Sequence, residues 1–255
     1  MQLTLTATEF EVAWGALDLG DLPLLFRVRI SRRGATAEER AHLVASTLAG
    51  LAERGLADGH GPRGGLADAL TLLARHRWSV DARFDFHREG RALGAVDGGA
   101  AVIAMLDADT VMLSSSAPYR LPYDLAELAG DVPVRTGTSI NLARHVLVAA
   151  ASRMGAGGPM ELADELMALG VPPGDARAVA TINAEMMGGG QFGAQVVDAD
   201  GTVRRAPRVV GFCDTAECRW AQLSADGWIT FTPAGTTQLA AMITDLLAEL
   251  GVRVG

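Results

Sequence analysis

Three glycines near residue 60 have the spacing that a phosphate-binding loop needs. Gly59, Gly61 and Gly64 match the pattern G-x-G-x-x-G, in which backbone amides hold a pyrophosphate. That fingerprint requires a strand before the glycines, whereas the apolar spacing here predicts a helix before them. Pro62 also removes one of the amides that would bind the phosphate. We therefore interpret this stretch as a flexible connection and expect no nucleotide cofactor.

A serine and a histidine could supply part of a hydrolase site. The sequence GTSIN at 137–141 resembles half of a nucleophile elbow, but the second glycine is absent. His145 lies on the helix predicted just after Ser139, and a residue on that helix cannot fold back to activate the hydroxyl in the usual way. Thr138 or Ser139 is more simply explained as the N-cap of the helix that contains Leu142.

The two cysteines could pair or bind a metal. Cys213 and Cys218 lie in GFCDTAECRW, and a hairpin that turns at Thr215–Ala216 would bring them opposite each other. A reducing cytoplasm favours free thiols over a disulfide. Two thiols with no second pair nearby do not make a structural zinc site.

The remaining candidate ligands also lack the spacing that metal sites need. Four further histidines are present, and no two of them have the i, i+4 spacing with a glutamate between them: His42, His60, His76 and His87. DADGT at 198–202 begins like a calcium loop but lacks the third acid and the closing glutamate, so it is interpreted as a hairpin turn. We expect no metal, no cofactor and no enzymatic activity.

Composition narrows the class of partner. The chain has 255 residues, 49% of them hydrophobic, and a net charge of −8, with arginine as its basic residue and no lysine. An acidic protein of this kind is a poor binder of nucleic acid or anionic membranes. The N-terminus has no positive leader, and no apolar run approaches the roughly 20 residues that span a bilayer. The expectation is a soluble cytoplasmic protein with no membrane insertion.

Periodicity predicts an α+β fold made of two similar halves. A strand at 2–6 and helices at 9–17, 37–54 and 66–76 precede four strands at 78–87, 91–97, 101–106 and 110–115 and a short helix near Leu125. Helices at 142–154, 160–169 and 175–187 precede four more strands at 191–198, 204–212, 218–224 and 228–232, after a break at 188–190. A last helix is predicted to open at Pro233 and run to about residue 250. The segment 23–30 alternates and is predicted to be extended or an edge strand.

The repeat can be aligned directly. Residues 101–118 match 218–235 as strand, Ala-Asp turn, strand and proline-containing helix entry. We expect the two sheets to join into one central antiparallel sheet flanked by helices. The prediction is a single domain over 1–255, with pseudo-twofold duplicated lobes at about 1–130 and 131–255.

The segment GATAEER at 34–40 is predicted to begin the first long helix. Thr36 can accept a hydrogen bond from the Glu39 amide while Glu39 reaches back to the Thr36 amide, which is a capping box. Gly34 allows the chain to turn into this cap.

These segments together resemble a known family. GATAEER, GLADALTLLARHRWSVDARF at 65–84 and the C-terminal 208–247 are similar to the ESX secretion-associated EspG proteins. In the C-terminal segment, Asp214-Thr215, Arg219-Trp220, Trp228 and Pro233 occupy the family's positions. The short first hairpin, FHREGRAL, departs from several relatives, in which this loop is longer.

The resemblance implies a cytoplasmic chaperone of type VII secretion with a central antiparallel sheet and helical bundles. Such a protein binds the helical tip of a PPE-type protein in a PE–PPE heterodimer, or a similar helical export substrate, and keeps it soluble. We expect a monomer or weak homodimer. The alternatives are an enzyme of unrecognised class, for example a hydrolase that uses Ser139 or a cysteine, and a homo-oligomeric structural protein that pairs through its sheet edges.

A chaperone of this kind needs a partly apolar surface ringed by polar groups. The second lobe supplies eight candidate partner-binding residues whose types are enriched in interfaces: Met186, Met187, Phe192, Arg208, Phe212, Arg219, Trp220 and Trp228. The alternative for each is that it builds the core between sheet and helices.

Overall fold

The structure is a computed structural model that describes residues 1–27, 30, 34–85, 89–133, 135–154 and 158–254. The first half contains β1 (Gln2–Thr6), α1 (Ala7–Ala16), α2 (Leu24–Arg27), α3 (Ala37–Glu53), β2 (Ala57–Asp58), β3 (Gly61–Pro62), α4 (Gly64–Ala74), β4 (Trp78–Asp85), β5 (Glu89–Asp97), β6 (Ala100–Asp107), β7 (Thr110–Ser116) and α5 (Leu121–Glu127). The second contains β8 (Ile140–Ala143), α6 (Arg144–Arg153), α7 (Gly158–Ala168), α8 (Pro173–Glu185), β9 (Gly188–Val197), β10 (Val203–Arg205), β11 (Val210–Asp214), β12 (Arg219–Ala225), β13 (Trp228–Pro233) and α9 (Thr236–Glu249).

One large sheet joins the two halves. Over the described residues it has eleven strands in the order β1-β7-β6-β5-β4-β9-β11-β12-β13-β8, with β10 beside β9. Its neighbouring strands run antiparallel, and β4 and β9 meet at the centre over Trp78↔Val196 to Asp85↔Gly189. The predicted α+β class and the single antiparallel layer are confirmed. The order is symmetric about its centre: β4, β5, β6, β7 and β1 occupy the same positions in one half as β9, β11, β12, β13 and β8 in the other.

Corresponding turns show the same symmetry in detail. The β6–β7 turn has Ala108 at φ 51°, and the β12–β13 turn has Asp226 at φ 49°. The Ala7 amide donates to the Asp109 carbonyl at 2.8 Å, as the Arg144 amide donates to Gly227 at 2.7 Å. These turns pair Ala108 with Asp226, one residue away from the sequence alignment, which paired Ala108 with Ala225. The duplication of the two halves stays a prediction.

The helices cover the two faces of the sheet differently. On one face, α5 and α9 pack over the centre, and Leu239, Ile243 and Leu246 of α9 are fully buried there. Burial of each such side chain contributes on the order of 1.5–3 kcal/mol. On the other face, α1 to α4 cover the first half and α6 to α8 cover the second, each group with its own core. The strip between these two groups is the part of that face that helices leave open.

Close approach in the sheet centre depends on small residues. A Cβ on Gly190 would overlap the Arg83 carbonyl oxygen and the ring of Phe212. Phe212 stacks on Phe192 with ring centroids 5.6 Å apart, and Phe84 packs edge-on against Phe192 at 5.9 Å. Residues 188–190 were predicted to be a break between a helix and a strand, but they form the start of β9. Glycine at 190 leaves the space that the Phe212 ring occupies.

Several sequence predictions of local structure were wrong. The segment predicted to be extended from 23 contains the helix α2, in which the Phe26 and Arg27 amides both donate to the Pro23 carbonyl. Neither Thr138 nor Ser139 caps a helix, since β8 follows them and α6 begins only after Ala143. Pro233 ends β13, and α9 begins at Thr236.

Other local predictions were confirmed or lie outside the described residues. The Glu39 amide donates to Thr36 Oγ1 at 3.1 Å and the Thr36 amide donates to Glu39 Oε2 at 3.2 Å, which is the predicted capping box. The glycine-rich connection contains the short pair β2–β3 rather than a plain loop. Residues 28, 29 and 31–33 of the first segment, and 86–88 of the first hairpin with His87, lie outside the described residues.

Candidate partner-binding site

A groove runs along the open strip of the sheet between the two helix groups. Strand alternation points Asp81 and Arg83 of β4, and Gln191 and Gln195 of β9, toward this face. Arg205 joins them from β10, where it lies opposite Gln195. We call these five residues the floor of the central groove. A cavity of about 620 Å³ occupies its first-half side.

An ion pair crosses the floor. Arg205 Nη2 lies 2.7 Å from Asp81 Oδ1, and the Asp81 side chain is mostly buried. A Cβ at position 193 would overlap this guanidinium, so Gly193 leaves the space in which the bridge lies. The pair holds Arg205 flat across β9 and gives the floor a fixed polar surface.

A neutral histidine borders the same floor. His76 Nδ1 lies 2.9 Å from the Leu73 carbonyl, and Nε2 lies 3.4 Å from the Gln195 amide nitrogen. Burial lowers the pKa of His76 below its ordinary value, and the bond to the Leu73 carbonyl opposes this only in part. The neutral ring with its proton on Nδ1 donates to Leu73 and accepts from Gln195, which fixes the orientation of the glutamine.

The groove walls combine apolar and polar side chains. The first-half wall has Trp14, Leu19, Pro23, Leu24, Leu25 and Leu73. Leu24 is 62% exposed and Val203, on the rim near Arg205, is 57% exposed. Toward the second half, a cavity of about 680 Å³ is lined partly by Arg144, Arg208 and Gln222. A polar floor between exposed apolar rims suits an amphipathic helix end better than a small apolar ligand.

Three of the predicted partner-binding residues lie in the core. Phe192 and Phe212 are stacked under α9, and Arg219 is 1% exposed. Arg219 donates to both Asp214 oxygens at 2.6 and 2.8 Å and to the Ala129 carbonyl at 2.7 Å. Its guanidinium also lies over the Phe212 ring at 4.8 Å. These residues have no surface for a partner in this conformation, and we assign them to packing.

Two predicted residues are half-buried by neighbours in the same chain. Trp220 packs against the core beneath α6, α7 and α8. Arg208 Nε donates to Glu249 Oε1 at 2.9 Å, which ties the β10–β11 connection to the end of α9. Arg208 also lines the second-half side of the groove.

The exposed predicted residues do not form one site. Met186, Met187 and Trp228 are 54%, 60% and 54% exposed. The Met187 amide donates to the Asp214 carbonyl, at the end of β11 that pairs with Arg219, whereas Trp228 pairs with Ala225. These two positions on β12 are about 20 Å apart along the strand. The methionines and the tryptophan are therefore separate surface patches.

The comparisons with known proteins decide the family. The sequence profile of the EspG family matches residues 6–245, which is nearly the whole chain. The chain belongs to the EspG family. No curated protein matches the sequence.

The EspG fold also extends over the full chain. The structure is similar to that of the Mycobacterium tuberculosis type VII secretion system chaperone EspG5, solved in complex with a PE25–PPE41 dimer. The two chains are 13% identical, the match covers 97% of this chain and 96% of that one, and the TM-score is 0.75. The predicted family and its central antiparallel sheet are thereby confirmed.

The alternative chemistry finds little support in this EspG protein. Ser139 Oγ donates to Thr232 Oγ1 at 3.0 Å. Cys213 is opposite Trp220 in the hairpin rather than opposite Cys218, and both cysteines are buried and free. Burial, with smaller effects from Asp214 and Cys218, raises the pKa of Cys213 to about 11, which disfavours the reactive thiolate.

Among the described residues there is neither a cluster of metal ligands nor a membrane-spanning helix. No three of their histidine, cysteine, aspartate and glutamate side chains are grouped so that they could hold a metal ion. Within the same ranges, no helix is both long and apolar enough to cross a membrane.

Sequence reasoning missed the groove floor of this EspG protein. The signal was present in WSVDARFD, where Asp81, Arg83 and Asp85 alternate with buried residues on the central strand of the sheet. An antiparallel sheet often has one face exposed to solvent, and charged residues at alternate positions of a strand indicate that face.

Proposed function

We propose that this EspG-family chain is a cytoplasmic, non-enzymatic chaperone that binds the helical tip of a PPE-type protein in a PE–PPE heterodimer. Family membership over 6–245 carries the proposal, and the similarity of the whole fold to EspG5, solved in complex with a PE25–PPE41 dimer, supports it. Binding would cover the tip and keep the substrate soluble until export.

The central groove is the surface that we assign to the substrate. Leu24 and Val203 on its rim are among the exposed large apolar side chains, and the Asp81–Arg205 pair between them supplies a fixed polar floor. A helical tip can bury its apolar side chains on such rims while its polar ends meet the floor. Because these rim residues are already exposed in the free chain, their contact with a substrate would remove apolar area from water.

The first test is co-expression with each PE–PPE heterodimer encoded in the same genome. We expect at least one heterodimer to co-purify as a complex of defined stoichiometry, measured by light scattering against the 26.6 kDa of the free chain. Failure of every such heterodimer to bind the unaltered chain would contradict the proposed function.

The second test locates the binding surface. Leu24→Asp and Val203→Asp should each weaken the complex at least tenfold, because each places a charge on an apolar rim. The matched control is Met160→Asp on α7, which changes a side chain that is 76% exposed and lines neither of the two groove cavities. Loss of binding in Met187→Asp or Trp228→Asp, with both rim variants unaffected, would move the interface to one of the other exposed patches.

A further inference from the structure

Two arginines face each other beside the central groove. Arg83 on β4 and Arg91 on β5 are directly opposite partners in the antiparallel register, so their Cβ atoms are about 5 Å apart on the groove face of the sheet. Like charges in this position destabilise a sheet. An acidic residue at one of the two positions would remove this repulsion, so the sheet itself gives no reason for two arginines here.

Neither arginine has a partner among the described residues. Arg91 Nε is buried and lacks an acceptor there, and neither guanidinium lies within ion-pair distance of any described carboxylate. Two other arginines show what this chain does when an arginine serves the fold. Arg205 is bridged to Asp81, and Arg219 is paired with Asp214. A buried donor without an acceptor costs stability unless something else supplies the acceptor.

The space beside the two arginines can admit a side chain. A cavity of about 310 Å³ is lined by Arg83, Arg91, Gln191, Asp85 and Glu89, together with the backbone of two glycines. Asp85 and Glu89 lie opposite each other at the end of the strand pair, one step beyond the two arginines. The cavity is therefore positive where Arg83 meets Arg91 and negative at its outer end.

We propose that Arg83 and Arg91, the arginine pair, bind the carboxylate of an aspartate or glutamate side chain on the helical tip of the export substrate. The inference rests on the proposed function and names the group that the groove recognises. A carboxylate oxygen accepts from each guanidinium in short charge-assisted hydrogen bonds, and Gln191 on the adjoining strand offers its amide as a further donor. Asp85 and Glu89 repel a second acid, so the arginine pair selects a single carboxylate at one position.

The affinity test uses a PE–PPE heterodimer that binds the unaltered chain. Arg83→Gln and Arg91→Gln should each weaken binding about tenfold, and the double variant at least thirtyfold, with a reduced dependence of affinity on salt. The control is Arg120→Gln at the N-cap of α5, which removes the same charge from an exposed site on the opposite face and should change affinity less than twofold. Wild-type affinity in the double variant would overturn the inference while leaving the chaperone proposal intact.

A stability test distinguishes recognition from a structural role. Because the arginine pair repels itself and leaves a buried donor unpaired, Arg91→Gln in the free chain should keep or raise the melting temperature. A fall of several degrees would show that the arginine serves the fold and would overturn the inference. This measurement needs no substrate, so it is independent of whether any heterodimer binds.

Double-mutant cycles identify the carboxylate. Each aspartate or glutamate on the substrate tip is changed to its amide and measured with unaltered chain and with the double arginine variant. At one acidic position, the change to the amide should weaken binding to the unaltered chain but not to the double arginine variant, because that variant lacks the two arginines that bind the carboxylate. Additive losses at every acidic position would contradict the arginine pair as a carboxylate site.

Discussion

At the scale of single residues, Arg219 connects the two halves of the molecule through a buried network of hydrogen bonds. Its guanidinium reaches Asp214 on the preceding strand and the Ala129 and Gly130 carbonyls after α5, so a second-half residue satisfies the end of a first-half helix. The sequence suggested a partner contact here because arginine is among the residue types enriched in interfaces. Its contacts instead hold the two halves together.

Removal of that guanidinium should be costly. We expect Arg219→Met, which keeps the packing volume, to lower the free energy of unfolding by about 3–5 kcal/mol, because Asp214 is left buried without its counter-charge. Urea denaturation measures the difference. The double variant with Asp214→Leu should recover a large part of it, since no buried charge then remains unpaired. A loss in the double variant equal to the sum of the two single losses would show that the pair does not act as a unit.

Ionisation of Cys213 should lower the stability of the fold at alkaline pH. Its pKa is raised to about 11 from an ordinary 9.0, so the folded state holds the thiol proton more tightly than the unfolded chain. The resulting stabilisation is complete below about pH 9 and is lost as the pH rises from 9 to 11. The lost free energy of unfolding should be roughly 2–3 kcal/mol, measured by chemical denaturation across that range.

The control for this prediction is Cys213→Val, which keeps an apolar side chain of similar size but cannot ionise. Its stability should fall less between pH 9 and pH 11 than that of the unaltered chain. Identical pH profiles for the two proteins would show that another group causes the alkaline loss.

At the scale of elements, the start of α3 is determined by hydrogen bonds between residues that are close in sequence. Glu39 Oε2 accepts from the Thr36 amide at 3.2 Å and from the Ala35 amide at 2.9 Å, and Thr36 Oγ1 accepts from the Glu39 amide. The residue after Glu39, Arg40, pairs bidentately with Glu11 of α1 at 2.7 Å for each bond. The GATAEER segment therefore fixes a helix start and fastens that helix to α1.

Thr36→Ala should lower the free energy of unfolding by about 1 kcal/mol, because the Glu39 amide in the first turn loses its acceptor, Thr36 Oγ1. Thermal denaturation measures this, and affinity for a bound PE–PPE heterodimer should stay within twofold. Thr36→Ser keeps the hydroxyl and should retain most of the stability. Loss of binding at unchanged stability would instead place this helix start in the interface.

Sequence periodicity was sufficient for elements whose neighbours on the chain determine them. The hairpins β4 to β7 and β12 to β13 follow from alternation and polar turns, and the α3 cap follows from four residues. Periodicity failed where distant contacts decide. The glycines at 188–190 form a strand because Phe212 and Arg83 approach them closely, and β8 exists because β13 pairs with it.

The candidate site was hard to predict for the same reason. Arg83 and Arg91 are eight positions apart, and their adjacency depends on the hairpin register. The groove also needs two helix groups that leave one strip open, which no local pattern specifies. Side-chain type suggested Phe192 and Phe212 as contacts, but burial is set by the whole sheet.

At the scale of the molecule, the central groove breaks the symmetry of the sheet. When the two halves are superposed so that their strand pairings coincide, Arg83 corresponds to Gly193, Asp81 to Gln191 and Arg91 to Val209. The strand pairings repeat across the centre, but Asp81, Arg83 and Arg91 correspond to uncharged residues in the second half, so the two sides of the groove carry different charges. One end of a substrate helix would therefore be recognised differently from the other, so the site has a direction.

The same architecture should make the chain unfold as one unit. The β4–β9 pairing, the α5–α9 packing and Arg219 all join the halves, and the largest core draws on both. Calorimetry should show a single transition whose calorimetric and van 't Hoff enthalpies agree. Two resolved transitions would show that the lobes at about 1–130 and 131–255 are separate domains.

Cleavage between the halves tests this coupling most directly. The connection from α5 to β8 is largely exposed over its described residues, so a protease site inserted at 136–138 can be cut without opening a core. The two fragments should elute together on gel filtration, because eight central register pairs and the shared core remain. Urea should separate them only at concentrations that unfold both. Spontaneous separation after cleavage would mean that the central pairing is too weak to hold the sheet, and with it the groove that both halves form.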